Sequence, residues 1–548
     1  MRYALAVAII ASLSFGLITE SFRYQSTAGL WEDDYDLLFD PARIPQIEGS
    51  RVWTSLSNFV TGNEEPFSNG SVPFILVGGT KNFGDYYPGL VVDNRMSKDP
   101  LDTGLNDPFG NDIYGEGERV EIDWNDIDNN GVFDERSVRR YGRTAFDTET
   151  ERDVYIGVGR YFGNLRVGLG FMREEFTDIY TSTGNNYTID STHENLNPTE
   201  LVYEKHIAFE GDEIDNYVNN NFILSGWMDK EKMSIGATVE FSLMSLKEEA
   251  IVTGDSMITT DPSNPALDYT SATILDSSWI PSSGMGVDVE LKSFYDYNDY
   301  AQGRFYLGFF MNMLSYHDDA AEYYNKYTEN IYNDFTWNYD TTVTNHDGSS
   351  NYMGVRLGTK QLFEVSERLN LGFGLFFSMS NYTEEDTAQN NSVAVVEYDD
   401  NDGMTNDFDD YTTTTWSSRT WMTKTTGAVK SFSVPVGIEF YLAEPVVFRL
   451  GARHTLSIND YTTVHDMIDY DPERTRTVRG DGTVSESMID PGNQAAGSEE
   501  SDTETLPDTD YFYGIGWQVT DNLQIDLMGF NELTDLSNWK LSATFKFD

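Results

Sequence analysis

Strict alternation of apolar and polar residues constrains this chain more than any other feature. Near the C-terminal end, Trp539, Leu541, Ala543, Phe545 and Phe547 alternate with polar residues without a break. Because successive side chains of a β-strand point to opposite faces, this spacing predicts a strand with one apolar and one polar face. The same pattern recurs along the whole chain. So many apolar faces need either lipid or a large core to cover them.

Six pairs of alternating segments are predicted β-hairpins, because each pair is joined by a short polar turn. Their strands are 7 to 13 residues long. Strands of ~9–11 residues cross an outer membrane when tilted. Strands of soluble sandwiches are shorter, at about 5 or 6 residues. Charged residues on the polar face therefore favour a barrel in lipid over a soluble sandwich. The predicted turns fall at residues 163–164, 229–232, 298–299, 364–368, 443–444 and 520–522.

The predicted fold class is all-β, a transmembrane antiparallel up-and-down β-barrel. The six hairpins supply twelve strands, and residues 538–547 supply one more. Upstream, residues 51–59, 72–80 and 89–93 supply either three strands or one. An even number is required if the chain enters and leaves the barrel on the same side. We therefore expect 16 strands, with 14 as the alternative.

The composition agrees with a barrel and argues against several other classes. The chain has a net charge of −55 and 39% hydrophobic residues, yet it contains 33 Tyr and 33 Phe. Disordered acidic chains have few aromatic residues, whereas outer-membrane barrels carry girdles of them. A chain this acidic repels phosphate, so nucleic acid is not an expected partner. The absence of Cys removes disulfide and thiolate chemistry.

Residues 1–19 are predicted to be a cleaved signal peptide, because Arg2 precedes an apolar run that ends at Ile18. A single membrane anchor is the alternative. Residues 51–548 form the predicted barrel, which we expect in the bacterial outer membrane. Such barrels keep short turns in the periplasm and long loops outside. The predicted extracellular loops are acidic and rich in Asn, Thr and Tyr, and they span residues 97–150, 176–220, 250–282, 317–350, 383–429 and 461–508.

Residues 20–50 do not alternate, and they contain the acidic run EDDYDLLFDPAR at 32–43. This run resembles the "D…NPA" segment near the N-terminus of the long-chain fatty-acid transporter superfamily. Asp40 stands where that family usually has Asn. The resemblance implies a barrel, which in that family has 14 strands, and a plug formed by residues 20–50 inside the lumen. A periplasmic leader that lies against the barrel mouth is the alternative.

The sharpest local motif is a candidate calcium loop at residues 126–134, with a poorer version at 399–403. Oxygen-bearing side chains alternate along it, and Gly131 provides the kink that lets a backbone wrap a hard cation. Ser137 occupies the position where such loops carry a bidentate Glu, so the site is incomplete. An acidic turn without an ion is the alternative, and no cofactor is required. The predicted Ca²⁺ ligands are Asp126, Asp128, Asn130, Asp134 and the carbonyl of Val132.

Charged residues on the polar face of the predicted strands are expected to point into the lumen. Residues of both signs occur there. They either line water and set an electric field, as in pores, or they pair across strands as structural ion pairs. The predicted lumen-lining set is Arg166, Glu240, Asp288, Glu290, Lys292, Arg304, Arg356, Lys360, Glu439, Arg449, Arg453 and Asp526.

A porin-like passive channel with an acidic, cation-favouring mouth is the main functional prediction, because an acidic entrance concentrates cations. Its expected partners are outer-membrane lipid and small solutes or ions. The alternatives are a transporter of hydrophobic compounds with an N-terminal plug, and a non-conducting, calcium-binding surface protein. None of the six His lies in a nucleophile-elbow or H-E-x-x-H motif. We therefore predict no catalytic residues and do not expect an enzyme.

Overall fold

The computed structural model describes residues 20–57, 74–106, 112–126, 135–192, 200–259, 269–329, 334–400, 408–489, 497–530 and 540–547. The predicted signal peptide lies outside these ranges. A short helix, α1 (Phe22–Ser26), and two 3₁₀ turns, Asp36–Phe39 and Ile44–Gln46, precede the strands. None of the helices in the described ranges is long and apolar enough to cross a bilayer.

Twenty strands are present in the described residues, and they contain most of the chain. They are β1 (Ser50–Ser57), β2 (Phe74–Thr80), β3 (Tyr86–Pro100), β4 (Asp102–Asn106), β5 (Asp112–Tyr114), β6 (Glu116–Asn125), β7 (Glu135–Phe162), β8 (Leu165–Thr192), β9 (Glu200–Lys230), β10 (Met233–Thr259), β11 (Tyr269–Asn298), β12 (Ala301–Glu329), β13 (Phe335–Ser366), β14 (Leu369–Asp399), β15 (Tyr411–Ala443), β16 (Val446–Arg479), β17 (Val484–Ile489), β18 (Ser498–Thr520), β19 (Leu523–Phe530) and β20 (Lys540–Phe547).

Sixteen of the described strands close into one ring of antiparallel pairs. The order around the ring is β1, β2, β3, then β7 to β16, then β18 to β20. β20 closes the ring by pairing with β1, with Phe545 opposite Val52. The prediction of 16 strands is confirmed, because all three upstream segments are strands.

The apolar face of the strands points out of the barrel. On β14, the alternating apolar residues Leu371, Phe373, Leu375 and Phe377 are exposed, whereas Ser380 on the other face is buried. A closed ring leaves no unpaired strand edge, so its apolar outer face is stable in lipid. Beyond Met379, the same outer face carries Asn381 and Thr383. The barrel therefore has an apolar band of membrane height, which on β14 consists of Leu371, Phe373, Leu375, Phe377 and Met379.

All six predicted hairpins are present, and the end of the barrel at which their short turns lie is called the turn end below. The strands from β7 to β16 continue for 27 to 34 residues, far more than the ~9–11 that cross a membrane. The segments predicted as long loops are thus, where described, mostly paired strand. Their outer face is polar, so no apolar alternation marks them as strand. The turns are residues 163–164, 231–232, 299–300, 367–368, 444–445 and 521–522.

The described wall is not equally high all round. β1, β2, β19 and β20 have only 7 or 8 described residues each, and they lie side by side in the ring. Outside the ring order, β6 pairs with the far end of β7, and β17 pairs with the far end of β16. β4 and β5 form a separate two-stranded sheet.

Candidate functional site in the barrel lumen

Residues 20–50, called the lumenal segment below, lie inside the barrel at the turn end. Leu30, Leu38 and Ile44 of this segment are fully buried. One apolar cluster joins the segment to inward-facing side chains of six strands, and each buried apolar side chain stabilises such packing by ~1.5–3 kcal/mol. The segment therefore fills the lumen and does not lie against the barrel mouth. The cluster consists of Tyr35, Leu38, Ile44, Ile47, Trp53, Leu76, Val91, Tyr155, Met172 and Ile223.

Two inward-facing glycines let the barrel wall touch the backbone of the lumenal segment. A Cβ atom at Gly168 would lie 2.2 Å from the carbonyl carbon of Pro41, and one at Gly451 would lie 2.5 Å from the amide nitrogen of Ala28. Any larger residue at these positions would displace the segment. Next to the contact at Gly168, the backbone N–H of Ala42 donates a hydrogen bond to Ser225 Oγ of the wall at 2.8 Å.

A buried charge network anchors helix α1 to β15, β16 and β19. Arg23 Nη2 lies 2.8 Å from Oε2 of Glu439, which is fully buried. Arg449 donates to Glu439 Oε1 at 3.3 Å and to Asp526 Oδ1 at 2.6 Å. Two guanidinium groups thus alternate with two carboxylates. Removing one member of such a buried network leaves an uncompensated charge, which costs ~3–5 kcal/mol.

A second set of polar contacts holds the middle of the lumenal segment. Glu32 Oε2 accepts a hydrogen bond from Arg43 at 2.9 Å and another from Arg304 at 2.7 Å. Asp40 Oδ2 accepts from the indole N–H of Trp227 at 2.7 Å, and it lies 3.9 Å from Lys292 Nζ. Asp40, which replaces the Asn of the resembled motif, is therefore a contact between the segment and the wall.

Two further residues of the predicted lumen-lining set also reach the lumenal segment. Lys360 Nζ donates to the hydroxyl of Tyr24 at 3.1 Å. Arg453 Nη2 lies beside Gly29, 3.4 Å from the position of a Cβ there. At the turn end, several residues predicted to line the lumen thus contact the lumenal segment.

The remaining predicted lumen residues pair mainly with neighbours in the wall. Arg166 Nη2 lies 2.7 Å from Asp229 Oδ1, and Lys292 Nζ lies 2.9 Å from Glu290 Oε2. Arg356 forms an ion pair with Asp288. Glu240 occupies the inward position directly opposite Asp288 on the neighbouring strand. The Arg356–Asp288 pair is half-exposed, whereas the Arg166 side chain is buried. A water-lined lumen stays a prediction.

Farther from the turn end, a row of carboxylates crosses the inner wall. Glu149 of β7 lies opposite Asp178 of β8, which lies opposite Asp215 of β9. Asp215 in turn lies opposite Glu248 of β10. Side chains directly opposite each other in neighbouring strands have Cβ atoms about 4.5–5.5 Å apart. These four residues, called the acidic row below, therefore concentrate negative charge on one side of the lumen.

The acidic row lies beyond the apolar band, because Asp178 stands seven residues after the outward Phe171 and farther from the turn end. Burial, together with the hydrogen bond and charge of Asp147, raises the pKa of Asp178 to about 7. Burial and the charge of Glu213 raise the pKa of Asp215 to about 6. Burial and neighbouring carboxylates, first among them Asp215, raise the pKa of Glu248 to about 7. The row therefore keeps part of its protons near neutral pH, and it carries most of its negative charge only above about pH 7.

The acidic row is absent from the predicted lumen-lining set, because each predicted strand ends where its outer face stops being apolar. The signal is nevertheless in the sequence. Stepping by two from the inward Tyr155 leads to Glu149, and stepping by two from the inward Met172 leads to Asp178. What the sequence does not contain is the register that places these residues side by side.

The candidate calcium loop is only partly described. Asp126 follows the end of β6, and the other predicted ligands lie outside the described residues. At the poorer motif, oxygens of Asp399, Asp400 and Asp410 lie within 4.8 Å of one another. Calcium binding at either motif stays a prediction.

A polar cavity separates the lumenal segment from one side of the wall at the turn end. Its volume is about 560 Å³. Charged residues of the segment and of strands β12, β16 and β20 line the cavity. They include Arg23, Glu32, Asp33, Arg43, Arg304, Arg449 and Lys546.

The fold and this lumen define a transmembrane β-barrel whose inner space is filled at one end by its own N-terminal segment. No protein-family model matches the chain, and no curated protein matches its sequence. Among solved structures, a Pseudomonas aeruginosa FadL homologue is similar over 98% of this chain and 100% of its own, with 9% identity and a TM-score of 0.26.

Two further solved structures give similar values. The FrpB iron transporter from Neisseria meningitidis is 9% identical over 94% of this chain and 83% of its own, with a TM-score of 0.26. The ferric-catecholate import receptor Fiu from E. coli K12 is 8% identical over 91% and 82%, with a TM-score of 0.24. Values this low carry no argument about function, and the fold rests on the strand pairing itself.

Proposed function

We propose that the protein is an outer-membrane channel that favours small cations and is narrowed at its turn end by the lumenal segment. The observation that carries this proposal is the acidic row, Glu149, Asp178, Asp215 and Glu248, in direct register across four neighbouring inner strands. Inward carboxylates in a low-dielectric wall focus the field in the lumen and raise the local cation concentration. Salt screens this effect, with a Debye length of about 10 Å at 0.1 M.

The turn end has a different character from the acidic part of the lumen. There the positive side chains of Arg23, Arg43 and Arg304 are paired with carboxylates of the segment and the wall. The polar cavity beside the segment offers solvated space for a small ion, whereas the tightly packed apolar cluster does not. We therefore expect ions to pass on the cavity side and the segment to limit the conductance.

The experiment is a reversal-potential measurement on the purified protein in planar bilayers under a KCl gradient. The test variant neutralises the acidic row with E149Q, D178N, D215N and E248Q. The matched control neutralises four carboxylates on outward positions of the wall with E175Q, D212N, E249Q and E385Q. We expect wild type and control to favour K⁺, and the test variant to lose at least half of that preference at low salt.

Two outcomes would contradict the proposal. One is anion preference in the wild type. The other is the absence of conductance both in the wild type and in a variant that lacks residues 20–49, because removal of the segment should widen the passage.

A specific observation favours a second candidate, the transport of hydrophobic compounds. The wall that contacts the segment is apolar on one side, through Trp53, Leu76, Val91, Tyr155 and Met172. If the segment moves, this side becomes an apolar surface inside the barrel. Binding of an apolar fluorescent probe to the variant without residues 20–49, at a site sensitive to Y155S, would support this candidate over the cation channel.

A further inference from the structure

One layer of oxygen-bearing side chains lies directly above the apolar cluster on the inner wall. Asp153, Glu174 and Asn221 each stand two residues farther from the turn end than a cluster member, namely Tyr155, Met172 and Ile223 respectively. Because a step of two residues keeps a side chain on the same face, all three point into the lumen. The strand pairing aligns Asp153 with Glu174 and aligns Glu174 with Asn219.

Hydrogen bonds already orient this layer. The side-chain amides of Asn219 and Asn221 donate to Glu174 Oε2 at 2.9 and 3.0 Å. Asp153 Oδ1 accepts the backbone N–H of Glu175 at 3.2 Å. In both Asn side chains the amide nitrogen thus faces Glu174, and the carbonyl oxygen takes no part in that contact. The second oxygen of Asp153 likewise takes no part in the contact with Glu175.

The oxygens that are left over have no hydrogen-bond donor among the described residues. Asp153 Oδ2, Asn219 Oδ1 and Asn221 Oδ1 are each buried and unpartnered there. Asp153 is only 1% exposed and Asn221 only 2% exposed, so bulk water does not reach them. Burying a carboxylate oxygen without a partner is costly, and a bound cation relieves that cost.

We propose that Asp153, Glu174, Asn219 and Asn221 bind a divalent cation of the hard, oxygen-ligated class, with Ca²⁺ as the best fit. Ca²⁺ takes carboxylate and amide carbonyl oxygens together and accepts irregular geometry, whereas Mg²⁺ demands a near-ideal octahedron. Asp93 lies opposite Asp153 on β3 and adds negative charge to the same layer. The site is separate from the candidate calcium loop, and it does not depend on the proposed channel function.

Such an ion would join β7, β8 and β9 immediately above the lumenal segment. Tyr155, two residues from Asp153, donates its hydroxyl to the carbonyl of Leu38 at 2.5 Å. The ion would therefore stiffen the part of the wall against which the segment packs.

The test uses the full protein in detergent micelles, stripped of metal by a chelator and then titrated with CaCl₂ or MgCl₂. Calorimetry gives the number of sites, and the thermal unfolding midpoint gives the stabilisation by the ion. The test variants are D153N and E174Q, which keep the size of each side chain. The controls are D212N and E385Q, which neutralise carboxylates on outward positions of the wall.

We expect the wild type and both controls to show a Ca²⁺-induced rise of the unfolding midpoint, with weaker stabilisation by Mg²⁺. D153N and E174Q should each weaken this response at least tenfold in Ca²⁺ concentration. Without metal, D153N should unfold no earlier than the wild type, because it removes a buried charge. An unchanged Ca²⁺ response in both variants, or no wild-type response at millimolar Ca²⁺, would overturn the proposal.

Discussion

Gly168 and Gly451 decide how closely the barrel wall approaches the lumenal segment. Both face inward, and both touch backbone atoms, which cannot move aside as a flexible side chain can. Around them, buried ion pairs such as Arg23 with Glu439 fix the orientation of the segment. Single inward residues near the turn end therefore act as contacts for the segment.

Substitution of Gly168 by Ala should loosen the lumenal segment, because the new Cβ would overlap the backbone of Pro41. Forcing extra volume into a packed site costs ~1–3 kcal/mol. Limited proteolysis should therefore cut residues 20–50 faster in G168A than in the wild type. G142A is the matched control, since a Cβ at Gly142 meets nothing within 4 Å. Equal cleavage rates in both variants would show that the segment is not held by this contact.

Neutralising Glu439 should destabilise the protein strongly, because E439Q leaves Arg23 and Arg449 near each other without their shared carboxylate. We expect a loss of ~3–5 kcal/mol in the free energy of unfolding, measured by urea titration in detergent. E385Q removes one partner of the half-exposed pair with Lys424 and should cost only ~0–1 kcal/mol. A loss in E439Q as small as in E385Q would mean that the network does not anchor the segment.

At the scale of the strands, the same alternation serves two surroundings. Near the turn end, the outward positions are apolar and the inward positions hold the segment. Farther along β7 to β10, the outward positions are polar and the inward positions carry the acidic row. Each long strand thus passes from a lipid-facing part to a water-facing part without a break in its pairing.

The acidic row should make the extended strands less stable as the pH rises. The pKa values of Asp178, Asp215 and Glu248 are about 7, 6 and 7, above the usual range for carboxyl groups in unfolded chains. The folded protein therefore binds more protons than the unfolded chain between about pH 4 and 7, and its stability falls as the pH rises through this range.

The thermal unfolding midpoint, measured without divalent cations, should accordingly be higher at pH 5 than at pH 8. The variant with E149Q, D178N, D215N and E248Q should show a smaller difference between the two pH values. The variant with four outward substitutions should keep the wild-type difference. A midpoint that rises with pH in the wild type would contradict the raised pKa values.

How much the sequence predicts differs between parts of a strand. Alternation of Leu371, Phe373 and Leu375 with small residues predicts both the strand and its outward face, because lipid demands an unbroken apolar face. The polar continuation of β14 shows no such pattern, because its outer face meets water, which does not require apolar side chains there. Its strand conformation comes from pairing with neighbours, which a local pattern does not record.

The lumen illustrates the same limit. Inward charges such as Glu439 and Arg449 can be predicted from alternation, but their partners cannot, because Arg23 is more than 400 residues away from Glu439 in the chain. The run at residues 32–43 implies a plug only through a family resemblance. Its actual contacts, such as Asp40 with Trp227, depend on the closure of the barrel.

At the scale of the whole molecule, three levels follow one another along the barrel axis. The lumenal segment fills the turn end, the layer of Asp153 and Glu174 lies above it, and the acidic row lies farther out. An apolar outer band surrounds the first of these levels. The proposed channel depends on contact between this band and lipid.

Site-directed spin labelling tests that central claim most directly, and the absence of Cys in the chain makes single labels straightforward. In lipid vesicles, a label at L375C should collide with oxygen far more than with a polar nickel complex. A label at T387C, on the outer face beyond the band, should show the reverse preference. Access of the polar complex to L375C, or exclusion of both reagents from it, would contradict a barrel whose apolar face meets lipid.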